Sequence, residues 1–197
     1  GMDPVTFLST MGKSFVSNRS MLIFIMTFVI TGTLERNGLK QAAAALMAKF
    51  KGATAGLVIA AYGVFRLIFA AFNVGFGGVA GFVRPVIMPM AQAAVEEDGQ
   101  PIAEEQLEQI KGMAAGMENV TWFFGQVLFV GGSGGLLVQS TLANLGYNIE
   151  LIDIAATEVP VAVIATLVAI VYYQIIDKKL MRKYHSGAAA SAKAGEK

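Results

Sequence analysis

The chain has 197 residues, 55% of them hydrophobic and 15% charged, with a mean hydropathy of +0.59. Soluble domains carry about 25% charged residues, so the deficit argues against a water-soluble protein and for an integral membrane one. A net charge of +1 leaves no basic footprint for nucleic acid, and the absence of cysteine excludes disulfides, thiol catalysis and thiolate metal sites.

Gly1-Met2-Asp3-Pro4 leads into a modest apolar patch that contains Lys13. No basic region precedes a clean apolar core there, so a signal peptide is not expected. The start is either native or that of a fragment lacking an upstream hydrophobic segment. Phe7, Leu8, Met11 and Phe15 recur at helical spacing, which predicts a short interfacial helix over 5–18. Ser20–Leu34 is strongly apolar between Arg19 and Glu35-Arg36. It is short for a span, and snorkelling of Arg19 and Arg36 would extend it. Leu39–Lys51 predicts an alanine-rich helix at the membrane surface, bearing Lys40, Lys49 and Lys51.

Ala53–Val95 is apolar except for Arg66 and Arg84. Its middle, Phe72-Asn-Val-Gly-Phe-Gly-Gly78, offers no charged turn. A hairpin that enters the membrane and returns to the same side fits this pattern. Two short helices packed through Gly77-x-x-x-Gly81 are the alternative. Glu96–Lys111 then turns acidic and polar, and Pro101 suits a first helical turn followed by acids.

Asn119–Ile149 is long enough to cross a bilayer, yet Gly131-Gly-Ser-Gly-Gly135 interrupts it. Irregular backbone at membrane depth survives only under protein or in a watery cavity, and transporters bind substrate at such breaks. Gly146–Asp153 reads as a polar turn. Ile154–Ile176 is the cleanest span, with Tyr172 and Tyr173 at its interface, and the basic run from Lys178 to Lys183 marks a cytoplasmic end. The expected organisation is one all-α polytopic membrane domain over 1–185, with a re-entrant helical hairpin and a discontinuous transmembrane helix. A disordered polar tail is expected over 186–197.

Arg66 and Arg84 are the leading candidates for chemistry, because a charge at bilayer depth costs about 2.5–3.5 kcal/mol or more. An arginine fork suits a carboxylate. Either residue could instead pair with Glu118 or Glu35 as structural glue. Gly75, Gly77 and Gly78, with Gly131 and Gly132, could present freed backbone groups or half-helix N-termini to an anion. Asn73, Asn119 and Ser133 could add polar contacts. Close helix packing is the alternative role for these glycines. Trp122 is expected as an interface anchor. With no cysteine, one tail histidine (His185) and no acidic ligand cluster at membrane depth, an enzyme is not expected.

Four stretches resemble a known family: Asn18-Arg19 with Leu34-Glu35-Arg36-Asn37-Gly38-Leu39; Val83-Arg84-Pro85 with Pro89-Met90-Ala91; Glu118-Asn119-Val120 with Phe123-Phe124-Gly125; and the basic end of the last span. They resemble the smaller membrane subunit of the bacterial two-component 5-oxoproline (pyroglutamate) transporters, a family long catalogued as a domain of unknown function. The resemblance runs from about Phe15 to Lys183. It implies an ion-transporter-superfamily architecture in the bacterial inner membrane with a cytoplasmic C-terminus. It also implies a second, larger membrane subunit that supplies the other half, and uptake of a small carboxylate, 5-oxoproline, coupled to Na⁺ or H⁺ without a further cofactor. A carrier for another small organic anion and a non-transporting assembly subunit are the rival expectations. Relatives carry one more hydrophobic segment at the start, and often an acid where this chain has Gln126.

Overall fold

A computed structural model describes residues 2–17, 22–50, 54–96 and 101–195, with backbone alone for 22–24, 27–28, 50 and 186–195. The expectations that rest on Arg19, Ser20, Lys51, Ala53, Glu97 and Asp98 fall outside these residues. Among the described residues the regular structure is entirely helical.

Helix α1, Pro4–Ser17, buries none of its residues. Asp3 caps it, accepting from the backbone N–H groups of Val5 and Thr6 at 3.0 Å each. The Thr6 hydroxyl also donates to Asp3, and these bonds hold its carboxyl below the usual carboxylate range. Helix α2 is Leu22–Arg36. A left-handed Gly38 (φ 88°) then turns the chain into α3, Leu39–Met47, and a 3₁₀ turn at Ala48–Phe50 ends this section. Helix α3 is not wholly a surface element: Ala43 and Met47, one turn apart, reach the core.

Helix α4, Ala55–Ala71, starts at Thr54, whose hydroxyl accepts from Leu57 N–H. It packs against α6, Glu104–Gly125, and α8, Leu151–Gly195, and those two also pack on each other. From α4 the shared core takes Val58, Ile59, Tyr62 and Phe65, and from α6 Ile110, Met113 and Met117. These sets follow the 3.6-residue period of an inward face. Helix α8 turns small residues inward instead: Ala155, Ala162, Thr166 and Ala169 are buried. Its Ile164, Leu167, Val168 and Val171 are exposed. Small inside and greasy outside is the pattern of a helix whose surroundings are apolar. Close approach is also needed where α4 meets α6. A Cβ on Gly63 would lie 2.4 Å from the Met117 sulfur.

The apolar stretch after α4 does form a helical hairpin. Its tip is the irregular run from Phe72 to Gly78, with positive φ at Asn73 (56°), Gly77 (81°) and Gly78 (62°). The chain returns as a π-helix at Val79–Ile87 that runs into α5, Met88–Val95. Pro85, inside the wide turns, has no N–H to give a tighter ladder. Phe76 at the tip is fully buried, stacked on Phe65 at 5.4 Å and against Phe82 at 5.0 Å. Each arm is 17 residues long; the wholly α-helical α4 spans about 25 Å, and the returning arm, with its wider π turns, is shorter.

The second expected break is present but displaced. Helix α6 runs unbroken from the acidic Glu104 to Gly125, and a 3₁₀ turn covers Gln126–Leu128. The chain opens at Phe129–Gly132, and α7, Ser133–Asn144, begins inside the glycine run. The two helical pieces meet at 44°. Pro101 does not enter a first turn either. Helix α6 starts with Glu104 and Glu105, whose carboxylates suit its positive end. The backbone of α8 runs to Gly195. Among the described residues, Leu151–His185 is long and apolar enough to cross a membrane; the bent pair Glu104–Leu128 and Ser133–Asn144 would add a second as one broken span.

Candidate functional site

The hairpin tip and the broken helix face a common cavity of about 580 Å³. One wall is the C-terminal half of α2, with Thr31, Gly32 and Glu35. Asn73 and Gly75 of the tip form a second. Trp122, Gln126, Val127 and Phe129 come from the end of α6 and the turn after it, and Gly132–Gly135 from the start of α7. The lining mixes apolar surface with a few convergent polar groups, as small-molecule sites do.

The start of α7 has the chemistry of an anion seat. Gly132 is its cap residue, in an extended conformation, and offers no side-chain cap. The first bond along the helix runs from Leu136 N–H to Gly132 O, at 3.0 Å. The preceding N–H groups, of Ser133, Gly134 and Gly135, therefore have no partner within the helix and stand at its positive end. A Cβ on Gly134 would meet nothing within 4 Å, so the backbone there is open to a guest.

Arg66 does not line this cavity. It is buried beside it at 2% exposure. Its Nε donates to Glu118 Oε2 at 2.8 Å, and its Nη1 donates to the Val74 carbonyl at 2.9 Å. The Tyr62 hydroxyl donates to the same Glu118 oxygen. The guanidinium carbon lies 4.3 Å from the centre of the Trp122 ring. Arg66 thus takes the pairing role with Glu118, and it clamps the tip between two lining residues, Asn73 and Gly75. Trp122 is a cavity wall backed by a cation.

The other candidates divide. Asn73, Gly75, Gly132 and Ser133 line the cavity; Gly131 adjoins the lining residue Gly132 but is outside it. Gly77 and Gly78 sit farther along the tip, where a Cβ would lie 3.4 Å from Lys40 Nζ and 3.9 Å from Glu118 Oε1, respectively. Arg84 is exposed on the π-helix and Asn119 on α6, both outside the lining. Sequence reasoning missed Thr31, Gly32 and Glu35 as lining residues, because α2 read as a plain span. It singled out Gln126 only as a departure from the resembled family, and Gln126 proves to face the cavity.

The model of a family described as "Protein of unknown function (DUF969)" matches residues 1–181. The chain belongs to that family. No curated protein and no solved structure matches it. The DUF969 match takes in every cavity residue, from Thr31 to Gly135.

Proposed function

We propose that this DUF969 protein is the smaller membrane subunit of a secondary transporter for a small carboxylate, 5-oxoproline, coupled to Na⁺ or H⁺. The observation that carries this reading is the cavity shared by the hairpin tip and the α7 N-terminus. Irregular backbone beside a cavity with a few polar groups, with a half-helix aimed at it, is how transporters hold anions at membrane depth. Hairpin arms of no more than about 25 Å fall short of the roughly 30 Å hydrocarbon core, which supports a re-entrant course. The exposed apolar side of α8 supports a lipid or membrane-subunit neighbour. Together these features suit a multi-pass protein of the bacterial inner membrane. One hairpin and one broken helix make half of an inverted repeat, so a second, larger subunit supplies the other half.

A non-transporting assembly subunit would have continuous helices through both glycine clusters. The openings at 72–78 and 129–132 disfavour it. Uptake of labelled 5-oxoproline by cells expressing both subunits tests the proposal. Uptake that needs both subunits and collapses with the ion gradient is the expected result. Uptake at background level from the co-expressed pair removes the substrate assignment.

A further inference from the structure

Among the lining residues Glu35 alone carries a charge. No hydrogen bond or ion pair joins its carboxylate to another described residue. The group faces the hairpin tip: its Oε1 lies 3.8 Å from where a Cβ on Gly75 would sit. The nearby cation Arg66 is committed to Glu118 and Val74, and Lys40 reaches Gly77 and Gly81 outside the lining. The cavity therefore presents one positive helix end and one unpaired carboxylate.

We infer that Glu35 sets the specificity of the site, taking a hydrogen bond from an N–H or O–H donor on the bound monoanion and turning away a second negative charge. This rests on the reading of the cavity as the substrate site. An ionised carboxylate is an acceptor only. A guest whose own carboxylate sits on the α7 N–H groups must meet Glu35 with a donor or leave it unpaired. A site built around such a bond rejects an analogue that lacks it, because its own polar group is then desolvated without a partner. A dianion fares worse, since its second carboxylate meets a like charge. The ligand class is a small monoanion bearing a donor, such as a lactam acid, and dicarboxylates are excluded.

Trp122 is the chain's single tryptophan and lines the cavity, so its fluorescence reports occupancy directly. Three probes separate the terms in the purified full-length chain in detergent. They are 5-oxoproline, 3-oxocyclopentanecarboxylate (ring, carbonyl and charge kept, N–H donor lost) and glutarate (a dianion). 3-Oxocyclopentanecarboxylate is expected to bind at least about tenfold more weakly than 5-oxoproline, and glutarate not to saturate. Glu35→Gln, with unaltered helical circular dichroism, is expected to admit glutarate to within about tenfold of 5-oxoproline. Equal affinity for the rings with and without the donor overturns the inference, as does unchanged glutarate rejection in Glu35→Gln. Selective binding without uptake by the co-expressed subunits would defeat the transport reading and leave Glu35's role standing. Uptake with selectivity indifferent to Glu35 would do the reverse, and the absence of both quenching by any probe and uptake by the co-expressed pair would defeat both.

Discussion

Arg66 Nε meets Glu118 Oε2 at 2.8 Å, joining α4 to α6 with both side chains no more than 4% exposed. The same guanidinium holds the Val74 carbonyl and backs Trp122. One buried pair thus fixes both the tip and a cavity wall. Removing one partner of a buried pair strands the other charge and costs about 3–5 kcal/mol. Arg66→Ala and Glu118→Ala should each lower stability in detergent by that order. The double variant should cost less than the two single losses together, with a coupling of about 1–3 kcal/mol. Thermal or chemical unfolding of the four proteins gives the cycle. Strictly additive losses would show that the pair is not a clamp.

The helical elements were largely legible, because apolar periodicity and glycine interruptions act locally. The hairpin followed from Phe72–Gly78, where Asn73, Gly77 and Gly78 adopt backbone that ordinary residues avoid. The second break was misplaced. Glycine marks where a helix can open, whereas the opening site depends on what packs there. A Cβ on Gly125 would lie 2.6 Å from the Ala70 Cβ, so that glycine serves contact with α4. Ser133, Gly134 and Gly135 stay helical. The two arginines could not be told apart from sequence, since burial and partners are properties of the fold. Glu35 was hidden for the same reason: only the tertiary arrangement brings the end of α2 to Gly75 and to the cavity it shares with Gly132.

Gly78 has φ 62° and ψ −150°, a region open essentially to glycine alone. Gly78→Ala should therefore destabilise the protein by about 1–3 kcal/mol, even though its Cβ would approach nothing nearer than Glu118 Oε1 at 3.9 Å. The expected signature is a lower unfolding midpoint with weakened 5-oxoproline binding, because the tip supplies Asn73 and Gly75 to the cavity. A midpoint equal to that of the parent would mean the tip relaxes freely.

Arg84 is exposed on the π-helix and outside the cavity lining. Surface substitutions usually stay within about 0.5 kcal/mol, a little over twofold in affinity. Arg84→Ala should change the 5-oxoproline dissociation constant of the chain by no more than that. A loss of tenfold or more in Trp122 quenching titrations would return Arg84 to the binding machinery.

Gly134 separates a glycine kept for a guest from one kept for flexibility. It stands in the first turn of α7, lines the cavity, and has open space where a Cβ would go. Alanine exceeds glycine in helix propensity by up to about 1 kcal/mol, so Gly134→Ala should leave the unfolding midpoint unchanged or raise it. The new methyl would project into the open space beside the unpartnered N–H groups. If a carboxylate must come close to that backbone, 5-oxoproline affinity should fall at least about tenfold while stability does not, a loss of about 1.4 kcal/mol in binding alone. Gly134→Leu should abolish binding by covering the α7 N–H groups. Affinity unchanged in Gly134→Ala would show that no ligand approaches the helix end, and the anion seat would have to lie elsewhere along the tip.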